Sequence, residues 1–395
     1  MNTRTKNPTK ANTSKSNVRI MAPIILSFFV SGFAAIIGVV SNSVEKELHL
    51  SDIQSSILAS AIYVWFLIMA VPTGYIMNKL GHRMTVITGL SISCMSLLFP
   101  IFMYNYAGMV ISLCLLGIAN TMLQISLNLL VSDVTPKRKM SSMLTLGQFV
   151  SQIPNLTVPI LAIWSFTLFG SWRWVYPLFL IISLAITYFL YKTNIDEGEV
   201  EGDPSSISDL LSLLKQKAIM LCFIGIICQV GMDIGISMIA PKILEERIGQ
   251  NSANANMIIS IYALIRLLGC LGGAYLLAKY SNKKIYMTSL YCIFLSCLGL
   301  IFSRTGGLVY ISVGLMGLGM SNLFAIIYSQ ALEHNPKKKN DISILMIIGL
   351  VGGAIFPPIM SMATRLTGNH QWGAVVIIIL LAGMMYYIRK IIKDE

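Results

Sequence analysis

Apolar runs of about 20 residues follow one another along nearly the whole chain, separated by short polar turns. Their limits predict twelve membrane-spanning helices, at 21–44, 53–77, 84–104, 107–132, 141–169, 172–191, 218–243, 253–278, 284–303, 307–332, 341–364 and 372–391. The stretch before the first run, residues 1–20, is polar and basic and is expected to be a disordered tail. The first run is too long for a signal-peptide core and lacks a small-residue cleavage site, so it is expected to stay in the membrane. One long polar break interrupts the series, TNIDEGEVEGDPS from Thr193 to Ser205, with five acids, Gly and Pro. It predicts a flexible linker, and SISDLLSLLKQK after it predicts a short amphipathic helix at the membrane surface. Residues 193–217 thus divide a six-helix bundle at 21–192 from a second at 218–391, and 392–395 form a terminal tail.

The two halves carry the same polar signals 200 residues apart. GYIMNKLGHRM, Gly74 to Met84, is echoed by AYLLAKYSNKK, Ala274 to Lys284, so that Tyr75, Lys79 and Arg83 meet Tyr275, Lys279 and Lys283. SDVTPKRKM, Ser132 to Met140, is echoed by LEHNPKKKN, Leu332 to Asn340, with Asp133 meeting Glu333 and Pro136 meeting Pro336. Two independent motifs at one offset point to a duplicated unit. Because six is even, both copies enter the membrane the same way round, which predicts parallel repeats around a mid-membrane site.

Composition agrees: 55% of residues are hydrophobic and only 12% charged, against about 25% charged in a soluble domain. The net charge of +12 sits in the short turns, which excludes a nucleic-acid surface. Twenty-two of the 29 Lys and Arg fall on the side shared by both termini and six on the other. The positive-inside rule therefore places both ends in the cytoplasm of a multi-pass cell-membrane protein. The seven cysteines show no metal-ligand or CxxC spacing and read as small buried hydrophobes. Neither metal nor cofactor is expected. GxxxxGK, HExxH and GxSxG are absent, so neither ATP-driven transport nor hydrolysis is supported. A membrane enzyme would need clustered acids and histidines at depth, and a passive channel fits poorly with two parallel repeats.

Of the 17 acids, only Asp233 lies well inside a span, and Arg266 is similarly deep in the next. Each charge is costly there, roughly 2.5–3.5 kcal/mol, so the two are expected within reach of each other. They serve either as a coupling or substrate-binding site or as a fixed pair between helices. The front half offers neutral groups. Asn120, Gln124 and Asn128 recur every four residues on the fourth span, and Gln148, Ser151, Gln152 and Asn155 share one face of the fifth. Amides with donors and acceptors suit a polyhydroxylated solute, though they also glue membrane helices together. Gln124, Asn128, Gln148 and Gln152 are the binding candidates, with Asn322 on the tenth span. Tyr63, Trp65 and Tyr262 are candidates for stacking on a sugar ring. Trp172, Arg173 and Trp174 read as an interfacial anchor. The four histidines lie near span ends, and none presents itself as a proton relay. Pro241 and Pro357–Pro358 are expected to bend or break their helices.

GYIMNKLGHRM resembles the loop between the second and third helices of the major facilitator superfamily, G-x-x-x-D-x-x-G-[RK]-[RK], through Gly74, Lys79, Gly81 and Arg83. Asn78 stands where that motif has its acid. The resemblance implies that Lys79, His82 and Arg83 meet helix ends and anionic headgroups, and that a gate latch lacking the acid is weakened. SDIQSSILASAIYVWFLIMAVPTGYIMNKLG, QISLNLLVSDVTP, LTLGQFVSQ, Arg266 and IIGLVGGAIFPPIM are similar to the fucose permease branch, the L-fucose:proton symporters. The fold so implied is all-α, twelve transmembrane helices in two six-helix bundles. The implied function is secondary transport of a sugar or sugar-like solute by a monomer among membrane lipids, with a drug, peptide or organic anion as the rival cargo. By this resemblance the branch's proton-linked acid of the first helix falls near Gly38, and its sugar-facing acid of the fourth helix falls on Gln124. Neither can carry a proton, so any proton coupling here runs through other positions.

Overall fold

The computed structural model describes residues 10–35, 44, 47–51, 54, 58, 61, 62, 64–195, 207–249, 252–368 and 370–392. Every regular element among them is helical. The helices are α1 (Lys10–Ser31), α2 (Val64–Ile68), α3 (Ala70–Leu80), α4 (His82–Phe102), α5 (Tyr106–Val134), α6 (Met140–Phe169), α7 (Val175–Lys192) and α8 (Ile207–Leu213). They continue with α9 (Lys217–Ile248), α10 (Ser252–Lys279), α11 (Asn282–Phe302), α12 (Gly306–Met320), α13 (Leu323–His334), α14 (Lys339–Ile348), α15 (Gly352–Thr367) and α16 (His370–Ile388). Nine helical stretches among the described residues are long and apolar enough to cross a bilayer. The first, second and twelfth expected spans correspond to the apolar stretch Arg19–Ala34, to α2 with α3, and to α16.

Helix α1 starts at Lys10, inside the stretch expected to be a disordered tail. Once the apolar run up to Val30 is helical, nucleation is met and each preceding polar residue adds at little cost. Residues 1–9, 196–206 and 393–395 of the expected tails and linker lie outside the described residues, as do Gly38 and Tyr63. The expected surface helix is α8, yet Leu210 and Leu213 are buried and the helix packs on α14. Protein rather than lipid covers much of its apolar face.

The prolines do not interrupt their helices. Pro241 lies within α9, which continues as helix past the missing hydrogen bond while packed against α10, α15 and α16. The eleventh span instead tightens to 3₁₀ geometry at Gly349–Val351, ahead of Pro357–Pro358. Backbone crowding explains the place, because a Cβ on Gly352 would overlap the Ile227 carbonyl of α9.

The 200-residue repeat extends to the helix limits. α4 and α11 span His82–Phe102 and Asn282–Phe302; α5 runs Tyr106–Val134 and its counterpart, α12 with α13, runs from Gly306 to His334. Even a tertiary bond repeats. Ser96 Oγ donates to the Ser112 carbonyl at 2.9 Å, and Ser296 Oγ to the Ser312 carbonyl at 2.6 Å.

Within the front half α4 packs on α5 and α7, and α1 on α6; within the rear half α11 packs on α12, and α9 on α15 and α16. The halves meet along two seams. α6 runs beside α10 and touches α13, while α14 packs on α3 and α5. The lysine-rich turns at 137–139, 279–284 and 336–339 lie together at one end of the helices, here termed the basic end.

Candidate functional site

Asp233 lies near the middle of α9 and Arg266 near the middle of α10. Arg266 Nη1 donates to Asp233 Oδ2 at 2.6 Å, and the Tyr262 hydroxyl donates to Oδ1. Tyr262 and Arg266 are four residues apart on α10, so two successive turns grip one carboxylate. The Asp233 and Arg266 side chains remain 17% and 20% exposed, so packed protein does not wholly enclose the pair. Tyr262, which the sequence offered for ring stacking, instead points its hydroxyl at the ion pair. The signal for this was its four-residue spacing from Arg266.

The Ser142 hydroxyl donates to the Ala274 carbonyl at 2.5 Å, which fixes the register of antiparallel α6 and α10. Moving eight residues along each helix, from Ala274 to Arg266 and from Ser142 to Val150, rises about 12 Å. Arg266 is therefore level with Gln148, Ser151 and Gln152 across the seam. Gln148 Nε2 and Arg266 Nε are enclosed and have no hydrogen-bond partner among the described residues. Both are donors, and an acceptor-rich solute would satisfy them. Gln152 Oε1 accepts from Asn155 Nδ2 at 2.6 Å.

The other amides lie lower, toward the basic end. Asn322 occupies the break between α12 and α13; Nδ2 donates to Ser321 Oγ at 2.9 Å and the amide lies against Gly273. Gly273 is two turns from Arg266, and a Cβ there would overlap Asn322. Asn128 is fully buried, with Nδ2 donating to the Gln124 carbonyl at 2.7 Å. Between them, the Ile125 carbonyl accepts from Ser343 Oγ of α14 at 3.2 Å. Gln148, Gln152, Asp233 and Arg266 are thus brought to one level, Asn322 floors it, and Gln124 and Asn128 flank a seal beneath.

That seal crosses between the halves. His82 is wholly buried, with Nδ1 2.6 Å from Asp133 Oδ2 and Nε2 2.8 Å from Asn340 Oδ1. Asn340 Nδ2 donates to Asn78 Oδ1 at 2.6 Å, and Lys339 pairs with the other oxygen of Asp133. Ser141 and Ser329 join at 2.5 Å. Asn78 therefore latches as an amide bridge, while Asp133 supplies the acid that the loop motif lacks. His82 does not face headgroups; burial between Asp133 and Asn340 takes it out of solvent. Arg83 does meet a helix end, donating to the Tyr191 carbonyl at 2.7 Å, and Lys79 is exposed. Gly74 is buried in α3, and Gly81, at φ 84°, makes the left-handed turn from α3 into α4. The sequence hid Asp133 because it reads as one loop acid beside a basic cluster.

The far end of the front half has its own clamp. Glu47 accepts from the Tyr104 hydroxyl at 2.5 Å and from Trp172 Nε1 at 2.7 Å, and Arg173 stacks on the Tyr104 ring at 4.1 Å. Burial first, then Glu47, raises the Tyr104 phenol above its ordinary value. Trp172 is thus buried in the protein, and only Trp174 presents the exposed ring expected of an interfacial anchor.

Relatives share this architecture. A glucose/galactose transporter of Brucella abortus is 22% identical over 385 residues, 93% of each chain. A nitrite extrusion protein of Bacillus subtilis is 22% identical over 357 residues, 87% of each. Among solved structures, the Escherichia coli fucose:proton symporter FucP, in an outward conformation, superposes with a TM-score of 0.84 at 18% identity, covering 96% of this chain and 100% of its own. The sequence profile of the Major Facilitator Superfamily matches residues 24–357. Twelve-span patterning, a 200-residue repeat and a latched inter-helix loop thus meet in one chain, which belongs to the Major Facilitator Superfamily.

Proposed function

We propose that the chain is a secondary active transporter, with no catalytic step, that moves a small sugar-like solute by rocker-switch alternating access. Protons are coupled through Asp233. The observation that carries this reading is the partly exposed Asp233–Arg266 pair, level with Gln148 and about 12 Å beyond a cross-half seal. Residues 21–192 and 218–391 are the two rocking bodies, joined by 193–217. The basic end and both termini face the cytoplasm, so the sealed state opens outward. Gln148 and Gln152 bind solute hydroxyls, Asn322 closes the floor, and Gln124 and Asn128 enter the site as the seal parts. Gly74, Asn78, Lys79, Gly81 and Arg83 form the gate loop. Protonating Asp233 frees Arg266 and couples solute release to the proton. The glucose/galactose and fucose relatives support a sugar, and a monomer suffices.

A second reading, an anionic non-sugar solute, is favoured by the unpartnered Arg266 Nε and by the nitrite-extruding relative. Purified protein in proteoliposomes, offered hexoses, amino acids, organic acids and nitrite with and without a pH gradient, decides between them. Saturable, sugar-competed uptake is expected. Transport of an anion with indifference to every sugar would establish the second reading.

A further inference from the structure

Away from the seal, between the C-terminal portions of α9 and α15, lies a cavity of about 270 Å³. Its polar lining is Lys242 and Arg365 with the hydroxyls of Ser361 and Thr364, and its apolar lining includes Met238 and Met360. The cavity is distinct from the ion-pair site. Lys242 is nine residues beyond Asp233, about 13 Å along α9 and half a turn around it, so the two side chains leave opposite faces of the helix.

Neither cation has a hydrogen-bond or ion-pair partner among the described residues. Helix dipoles do not account for both. Arg365 is in the last turn of α15, but Lys242 stands six residues before the end of α9, beyond the turn where that attraction acts. Two unpaired positive charges sharing so small a space repel each other. An anion with several acceptor oxygens relieves the repulsion and accepts from both cations and both hydroxyls. A phosphate group has that geometry. On the neighbouring face of α15, Ile359, Met362 and Leu366 are exposed, an apolar track running from the cavity along the helix. We infer that the cavity binds the phosphate of an anionic phospholipid, whose acyl chains lie along this track.

The test uses the full chain in nanodiscs, with phosphatidylcholine alone or mixed with phosphatidylglycerol, and native mass spectrometry to count retained lipids. The intact protein should retain phosphatidylglycerol over phosphatidylcholine by about tenfold or more, and Lys242→Gln with Arg365→Gln should abolish the preference. Both positions are exposed, and size-exclusion profiles verify that the variant is folded. In a parallel arm, inorganic phosphate is titrated while thermal unfolding is followed. Phosphate protection lost in the double variant, without any lipid preference, would overturn the lipid assignment in favour of free phosphate. Equal lipid retention by both proteins, with no phosphate effect, would overturn the site altogether.

Discussion

Asp233→Asn keeps the shape of the side chain and removes its charge and its proton. Asp233 stands 16 residues into α9 and Arg266 13 residues from the end of α10, about 24 Å and 20 Å from the basic end. The substitution therefore strands a guanidinium near mid-membrane. Removing one partner of a fully buried pair costs about 3–5 kcal/mol. Since nearly a fifth of each side chain is exposed, the loss here should be nearer about 1–3 kcal/mol. Coupling can be sized separately. One pH unit is worth about 1.36 kcal/mol, so a one-proton symporter sustains up to about tenfold accumulation per unit of gradient. The assay compares uphill uptake after a pH jump with exchange of labelled solute at equal pH, in the same proteoliposomes. Asp233→Asn should abolish accumulation while exchange survives. Asp233→Asn with Arg266→Met should recover the thermal stability lost in the single variant, since no charge is then stranded. Undiminished tenfold accumulation by Asp233→Asn would refute the coupling role and leave the pair as a helix fastener.

Other expectations follow from the surroundings. Lys339→Gln removes a charge-assisted bond across the seal worth about 1.5–3 kcal/mol; spin labels at the basic ends of α5 and α14 should report a second, longer distance, enriched about tenfold or more, and an unchanged distribution would count against the latch. Gln148→Ala should raise the half-saturating solute concentration about five- to tenfold, whereas Asn128→Ala, buried beside the seal, should alter turnover more than apparent affinity; equal effects in kinetic assays would dissolve the distinction between layer and seal. Tyr104→Phe deletes a bond to the Glu47 carboxylate and should lower thermal stability by about 1.5–3 kcal/mol. Because the folded phenol titrates above its ordinary value, this stabilisation is complete below about pH 10 and vanishes as pH rises through the folded value. Melting curves of the two proteins should converge only in strong alkali.

The helices were legible because lipid imposes one rule on every span, an unbroken apolar run with its backbone bonds made internally. The duplication was legible for a related reason. Polar residues are scarce enough that Lys79 with Lys279 and Pro136 with Pro336 stand out at one offset. The Asp233–Arg266 contact followed from cost, since two isolated charges at that depth need each other. What could not be read was partnership across the seams. His82, Asp133 and Asn340 are ordinary loop or span-end residues along the chain, and only the approach of α14 to α3 and α5 makes them one buried network. The amides on α5 show the same limit. Periodicity placed Gln124 and Asn128 on one face, but their height relative to Arg266 depends on register between helices, which no single helix encodes. The place of the 3₁₀ turn could not be read from Pro357–Pro358, because a missing hydrogen bond is a local fact, while that turn adjoins Gly352, where the carbonyl of another helix comes close.

The serine bonds repeated between the third and fourth spans of each half carry a mechanical corollary. Ser96 and Ser112 donate to each other's carbonyls, both at 2.9 Å, so a shift of one residue between α4 and α5 would strand two hydroxyls in hydrocarbon. The rear half keeps one of these bonds, from Ser296 to the Ser312 carbonyl, so both hairpins resist sliding along their own length. Passage of cargo must therefore come from swinging intact hairpins as levers, and whatever bends must do so outside them.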